Sequence, residues 1–262
     1  MKILASLAVS LLTLALPAFA QQAPAPSAAA KAQLAPSGKL RLAFTVSNPN
    51  YATQPAGEKL SGIGIDIGEA LARQLGVPLE VVRYTATAEN VADAKTGKWD
   101  VAILGIEASR KANMDFTTPY AVTKNSYVVP AGSALKTIPD VDRKGVKVAV
   151  SSNTAQHVYL KDALKNAALV PQPNNQASTQ ELKAGRVDAV AANLNTLEGI
   201  AAQMPGYRVI PGSYYDVQYS LAVPKGREAG AAYLDEFVKY LRSSGAIQKS
   251  LERHQMKGVT VP

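Results

Sequence analysis

Beyond its N-terminal stretch the chain alternates short apolar runs with longer segments whose apolar residues recur at helical spacing. Leu40-Arg41-Leu42-Ala43-Phe44 has the length and composition of a strand. Ile65, Ile67, Ala70, Leu71 and Leu75 then form one face of a helix that Gly76 and Pro78 close. Leu79-Glu80-Val81-Val82 predicts a second strand, residues 88–94 a helix, and Val101-Ala102-Ile103-Leu104 a third strand. A second series follows: strand 146–150, helix 154–166, strand 168–170 and helix 179–184. Such alternation predicts an α/β fold with parallel-rich sheets flanked by helices.

The two series share a short motif. Lys95-Thr96-Gly97-Lys98-Trp99-Asp100-Val101-Ala102 leaves a helix, turns on glycine and enters a strand behind an aspartate. Lys183-Ala184-Gly185-Arg186-Val187-Asp188-Ala189-Val190 does the same about 90 residues later, which favours two similar lobes over one continuous sheet. The apolar runs Tyr127-Val128-Val129-Pro130 and Tyr219-Ser220-Leu221-Ala222-Val223-Pro224 are the candidate crossover strands; as ordinary sheet strands they remain compatible with that role. With both crossing, lobe 1 comprises residues 38–130 plus 219–262 and lobe 2 is an insertion over residues 131–218. A helix through Tyr233, Leu234, Phe237, Val238 and Leu241 then packs back on lobe 1. Two lobes on two connectors enclose a cleft that closes by hinge motion.

The first twenty residues carry Lys2, an apolar run from Ile3 to Leu16 and the small-residue site Ala18-Phe19-Ala20, the layout of a signal peptide cleaved after Ala20. Residues 21–37, rich in Ala, Pro and Gln, read as a flexible leader. The absence of cysteine excludes disulfides, thiolate metal sites and a lipid-modified N-terminal cysteine. The expectation is a freely diffusing monomer in a Gram-negative periplasm. The formal charge of +8 is spread singly among apolar positions, which argues against nucleic acid and suits a cleft that favours anions. The Gly62-Ile63-Gly64-Ile65-Asp66-Ile67-Gly68 run fails the dinucleotide fingerprint at Ile67. The only histidines, His157 and His254, lie far apart in sequence, so no metal or cofactor is expected.

Arg110 follows the strand at 101–104, and ligand crevices in open α/β sheets lie at the carboxyl ends of strands. There it either holds a carboxylate bidentately or forms a surface salt bridge with Asp115 or Glu107. Asn153 and Thr154 stand between a strand and a helix, where a hydroxyl and unpaired amides make an anion site or simply cap the helix. Asp66 supports the start of the first helix.

Four segments in order carry a resemblance over residues 38–255: Leu60 to Gly68, Asp100 through Arg110 to Asp115-Phe116-Thr117-Thr118-Pro119-Tyr120, Gly145 through Val150 to Thr154, and Gly185 to Ala191. In these the chain resembles the family 3 extracellular solute-binding proteins, whose best-known members serve polar amino-acid ABC importers. The resemblance implies a two-lobed, type II periplasmic-binding-protein-like fold and a role as substrate-binding component. Its partners would be a small carboxylate-bearing solute and the importer's membrane subunits. It also implies ligand roles for Arg110 and Thr154 toward a carboxylate and for Tyr51 as an aromatic cleft wall, Tyr51 otherwise being an exposed loop residue. Asn193 stands where relatives carry an aspartate for the ligand's ammonium. Asparagine hydrogen-bonds but lacks that negative charge, which argues against an ordinary α-amino acid unless Glu107 supplies the charge. Glu107 lies in a loop about two residues shorter than the usual family form, and an idle, exposed carboxylate is its competing role. Two alternatives share the scaffold: an exported cyclohexadienyl-dehydratase-like enzyme, in which Glu107 would act as an acid beside Arg110, and a ligand-binding partner of a membrane sensor.

Overall fold

A computed structural model describes residues 22–46, 52 and 59–262. The signal-peptide expectation and Tyr51 fall outside these residues. The described chain is a two-lobed α/β protein. Lobe 1 begins β1 (Leu40–Thr45), α2 (Ile63–Leu75), β2 (Leu79–Tyr84), α3 (Thr87–Ala92) and β3 (Val101–Gly105), after a first helix α1 (Ala28–Leu34). Short β4 (Met114–Phe116) leads into the long strand β5 (Ala121–Pro130). Lobe 2 repeats the pattern as β6 (Lys147–Ser151), α4 (Ala155–Ala163), β7 (Ala168–Gln172), α5 (Asn175–Lys183) and β8 (Ala189–Asn193), then adds α6 (Leu194–Gln203) and β9 (Tyr207–Val209). Strand β10 (Tyr215–Pro224) returns, followed by α7 (Glu228–Ser243), α8 (Ala246–Arg253) and β11 (Val259–Thr260).

The strand order β2-β1-β3-β10-β5-β8-β6-β7 shows how the lobes join. β2, β1 and β3 run parallel, as do β7, β6 and β8, while β10 and β5 lie antiparallel between the two trios. Each lobe thus has its own parallel trio, and the two crossover strands link the trios into one curled ladder. Each keeps its own core, one around Leu42, Phe44, Ile63, Leu71, Ile103, Leu221 and Phe237, the other around Tyr127, Val129, Val148, Val150, Leu160 and Ala191.

The repeated motif does the same work twice. Gly97 (φ +71°) and Gly185 (φ +67°) both take the left-handed turn that only glycine adopts without strain. Asp100 then exchanges bonds with Arg41 at the start of β1: its N–H donates to the Arg41 carbonyl (2.9 Å) and its carboxylate accepts from the Arg41 N–H (3.2 Å). Asp188 makes the same pair with Lys147 at the start of β6, at 2.9 and 2.8 Å. Asp100 is the buried member and also binds the guanidiniums of Arg41 and Arg227.

Two expectations need correction. Within the supposed flexible leader, residues 28–34 are helical: alanine favours helix, the Ser27 hydroxyl caps the first turn by accepting from the Ala30 N–H (3.1 Å), and Leu34 is fully buried against α7. Gln33 secures the contact through bonds from Arg227 (2.9 Å) and the Gly230 N–H (2.8 Å). The crossing also lies upstream of the apolar runs proposed for it. Tyr127–Pro130 already pairs with β8 and β9 in lobe 2, and Leu221–Pro224 with β3 and β4 in lobe 1. The connecting ladder is Ala121–Asn125 against Tyr215–Tyr219, where more and less buried positions alternate because only one face is covered.

Candidate functional site

The carboxyl ends of β1, β3, β6 and β8 converge between the lobes around two small cavities, each of about 20 Å³, roughly the room of one water. The first is lined by Thr45 and Thr87 of lobe 1 and by Ser151, Thr154, Asn175 and Asn193 of lobe 2, with Gln156. The second is lined by Gly105, Arg110 and Tyr219 on one side and Thr154, Ala155 and Gln156 on the other. A larger groove, about 700 Å³, lies outside the cleft between α5 and α6; Arg110, Thr154 and Asn193 do not line it. The convergence of strand ends, helix N-termini and a buried cation identifies the interlobe cavities as the candidate site.

Arg110 ends a 3-10 turn, Ala108–Arg110, and is 4% exposed. Its guanidinium donates to the Gly105 carbonyl of its own lobe (2.7 Å) and to the Asn153 carbonyl of the other (2.5 Å). Neither proposed salt-bridge partner holds it: Asp115 pairs with Lys225, and no ion pair joins Arg110 to Glu107 among the described residues. Asn153 adopts a left-handed φ of +55°, which asparagine tolerates, and its N–H donates to His157 Nδ1 (3.0 Å). The Thr154 hydroxyl caps α4, accepting from the His157 N–H (3.1 Å) and donating to the Ser151 carbonyl (2.8 Å). The residue that caps α4 thus also lines both cavities, beside the amides that open the helix.

Asn193 is buried at the start of α6, with Oδ1 accepting from the Thr196 N–H (2.9 Å). Its oxygen serves the helix, and an amide there brings no charge to the cavity it lines. Glu107 is half-buried and lines neither cavity. One of its carboxylate oxygens is buried without a hydrogen-bond partner, so the idle, exposed role does not apply. Burial raises its pKa, opposed by the nearby Arg110 charge.

Several site residues were not legible in the sequence. Gln156 reaches both cavities from the first turn of α4, and Asn125 holds it from the crossing, accepting from Gln156 Nε2 at 2.7 Å. Thr45 and Thr87 face lobe 2 with their hydroxyls 3.4 Å apart. Gly105 lies where α4 meets β3: a Cβ there would stand 3.2 Å from Ala155 Cβ. Strand-end position was the available signal for Thr45 and Gly105, whereas Gln156 and Asn125 meet only through tertiary structure.

Residues 40–257 match the model of the bacterial extracellular solute-binding proteins, family 3. The chain is 26% identical over 259 residues to an L-arginine-binding protein of Pseudomonas aeruginosa, covering 94% of this chain and 93% of that one. It is 26% identical to an ABC transporter glutamine-binding protein of Bacillus subtilis, over 73% of this chain and 71% of that one. Among solved structures it is similar to the amino acid ABC transporter substrate-binding protein AbpA of Streptococcus pneumoniae bound to L-arginine. That match has a TM-score of 0.74 and 27% identity, covering 84% of this chain and 96% of that one.

Proposed function

The chain belongs to the bacterial extracellular solute-binding proteins of family 3, and from that premise we propose that it is the periplasmic substrate-binding component of an ABC importer. It binds a small polar carboxylate or amino-acid-like solute between its lobes. The observation that carries this reading is Arg110, a buried cation of lobe 1 bonded to the Asn153 carbonyl of lobe 2 beside the N-terminus of α4. A carboxylate entering there would meet the guanidinium and the α4 amides together, and so would favour the closed state over the open one. Thr154, Asn153 and Asn193 contribute from lobe 2; Glu107, outside both cavities, acts through its charge near Arg110, and the part assigned to Tyr51 rests on the family resemblance. Relatives named for arginine and glutamine make those two solutes the first to test.

The lobes divide at the Ala121–Asn125 and Tyr215–Tyr219 ladder, a refinement of boundaries at 130/131 and 218/219. Export follows cleavage after Ala20, the working form is a monomer, and the closed complex docks on the importer's membrane subunits. The exported-enzyme reading draws on one observation, the half-buried carboxyl of Glu107 with its raised pKa near Arg110, the direction a general acid needs. Mass spectrometry of solute released from gently purified protein separates the two. Recovery of an unaltered carboxylate supports binding; conversion of an offered cyclic carboxylate to product would replace it with catalysis.

A further inference from the structure

Among the described residues Gln156 is the one other than Thr87 and Thr154 that lines both interlobe cavities, and its side chain does not choose its own orientation. Asn125, fully buried in the crossing strand β5, donates from Nδ2 to the Thr123 carbonyl and the Tyr215 carbonyl, each at 2.8 Å. Backbone carbonyls only accept, so Nδ2 must face them and Oδ1 must face Gln156. That oxygen in turn requires a donor, and Gln156 supplies Nε2 at 2.7 Å. The two crossover strands thereby set which end of the Gln156 amide faces the crossing, and Oε1, at the opposite end, is its acceptor toward the cavities. Asn125 is further fixed by its own N–H, which donates to Ser213 Oγ (3.1 Å), and by its carbonyl, which accepts from the Tyr214 N–H (3.0 Å).

Resting on the binding reading above, we propose that Asn125 is a positioning residue that locks Gln156 with Oε1 toward the cleft. There Oε1 accepts a hydrogen bond from a hydroxyl or amino group of the bound carboxylate. The solute class is then one that carries such a donor, in preference to a keto acid of the same skeleton. A site built to accept a hydrogen bond rejects an analogue whose oxygen can only accept, because two acceptors are left facing each other. With Asn125 intact, Gln156 cannot turn its amide to accommodate the keto oxygen without abandoning Oδ1 in the interior.

The test is isothermal titration of the full mature chain with L-arginine and with its 2-hydroxy and 2-oxo counterparts, which differ only at the second carbon. The wild type is expected to bind the 2-hydroxy member at least about tenfold more tightly than the 2-oxo member. Asn125→Leu should cut that ratio below about threefold, since the freed glutamine can present either end. Gln156→Leu, which removes the acceptor and leaves Asn125 in place, should do the same, and it carries the test should Asn125→Leu misfold. A merely structural role would weaken all three solutes equally and keep the ratio; that result, in protein with a native circular dichroism spectrum, overturns the proposal. So does a wild type that does not discriminate. No binding of any of the three overturns it too, and removes the binding reading with it only if purified protein also releases no solute.

Discussion

A methyl group at Gly105 provides a sharp probe of lobe closure. A Cβ built there stands 2.9 Å from Val217 Cγ1, 3.2 Å from Ala155 Cβ and 3.8 Å from Arg110 Nη1. Ordinary carbon contacts lie near 3.5–4.0 Å, so the first is too short by at least about 0.6 Å and the second by at least about 0.3 Å. The two contacts have different consequences. Val217 belongs to the crossover strand beside the lobe 1 core, so its displacement burdens open and closed states alike. Ala155 is the first residue of α4 in lobe 2, and its Cβ cannot rotate away. Relief there requires the lobes to separate, which penalises the closed state alone. Overpacking of this kind costs about 1–3 kcal/mol. If about half falls on the Ala155 contact, Gly105→Ala should weaken solute binding roughly two- to thirteenfold. Calorimetry with the tightest solute from a thermal-shift screen measures this, and small-angle scattering should show a smaller fraction of compact molecules at equal ligand. Unchanged affinity and unchanged scattering would mean that β3 and α4 do not meet in the bound state, which would remove the basis for placing the ligand between them.

Other consequences follow from single residues. Burial raises the Glu107 pKa, so between the unfolded and folded pKa values the folded state binds more protons than the unfolded one; the stability from this group is complete below the unfolded pKa and falls as pH rises through the folded one. Glu107→Gln should therefore raise the melting temperature more at pH 7 than at pH 4, by about 2 °C, and a difference that does not vary with pH would contradict the burial argument. Asp100→Ala leaves the Arg41 and Arg227 guanidiniums without their shared buried carboxylate and should cost about 3–5 kcal/mol in urea unfolding. Asp188→Ala, which removes the exposed counterpart, should cost about 1 kcal/mol; equal losses would refute the assignment of Asp100 as the buried hub. Asn193→Asp keeps the cap of α6 and adds a charge to the cavity, so binding of α-ammonium solutes should improve about tenfold with little change in melting temperature. A loss of affinity for such solutes would place the ammonium elsewhere.

The fold was legible where one residue type meets one local demand. Gly97 and Gly185 take the left-handed turn, and Asp100 and Asp188 clamp the neighbouring strand starts, so a short sequence echo marked the structural repeat. The connectors were harder to find because apolarity tracks burial. The most apolar parts of β5 and β10 lie inside the lobes, while the crossing itself shows one face to solvent. Residues 28–34 looked like leader because alanine and a single leucine carry little periodic signal, although Leu34 fills a gap against α7. At the site, Arg110 and Thr154 were visible from their places after β3 and β6. The Asn125–Gln156 bond spans 31 residues and joins a polar crossover position to an ordinary helical glutamine, which no local pattern distinguishes.

The central claim is that a carboxylate bound between the lobes is held by Arg110. Titration of wild type and Arg110→Ala with the same carboxylate solute, at equal melting temperature, tests it directly. A loss of at least about tenfold in affinity is predicted, from removal of a charge-assisted contact in a buried site. Equal affinity in the two proteins would contradict the account and move the ligand away from this cleft.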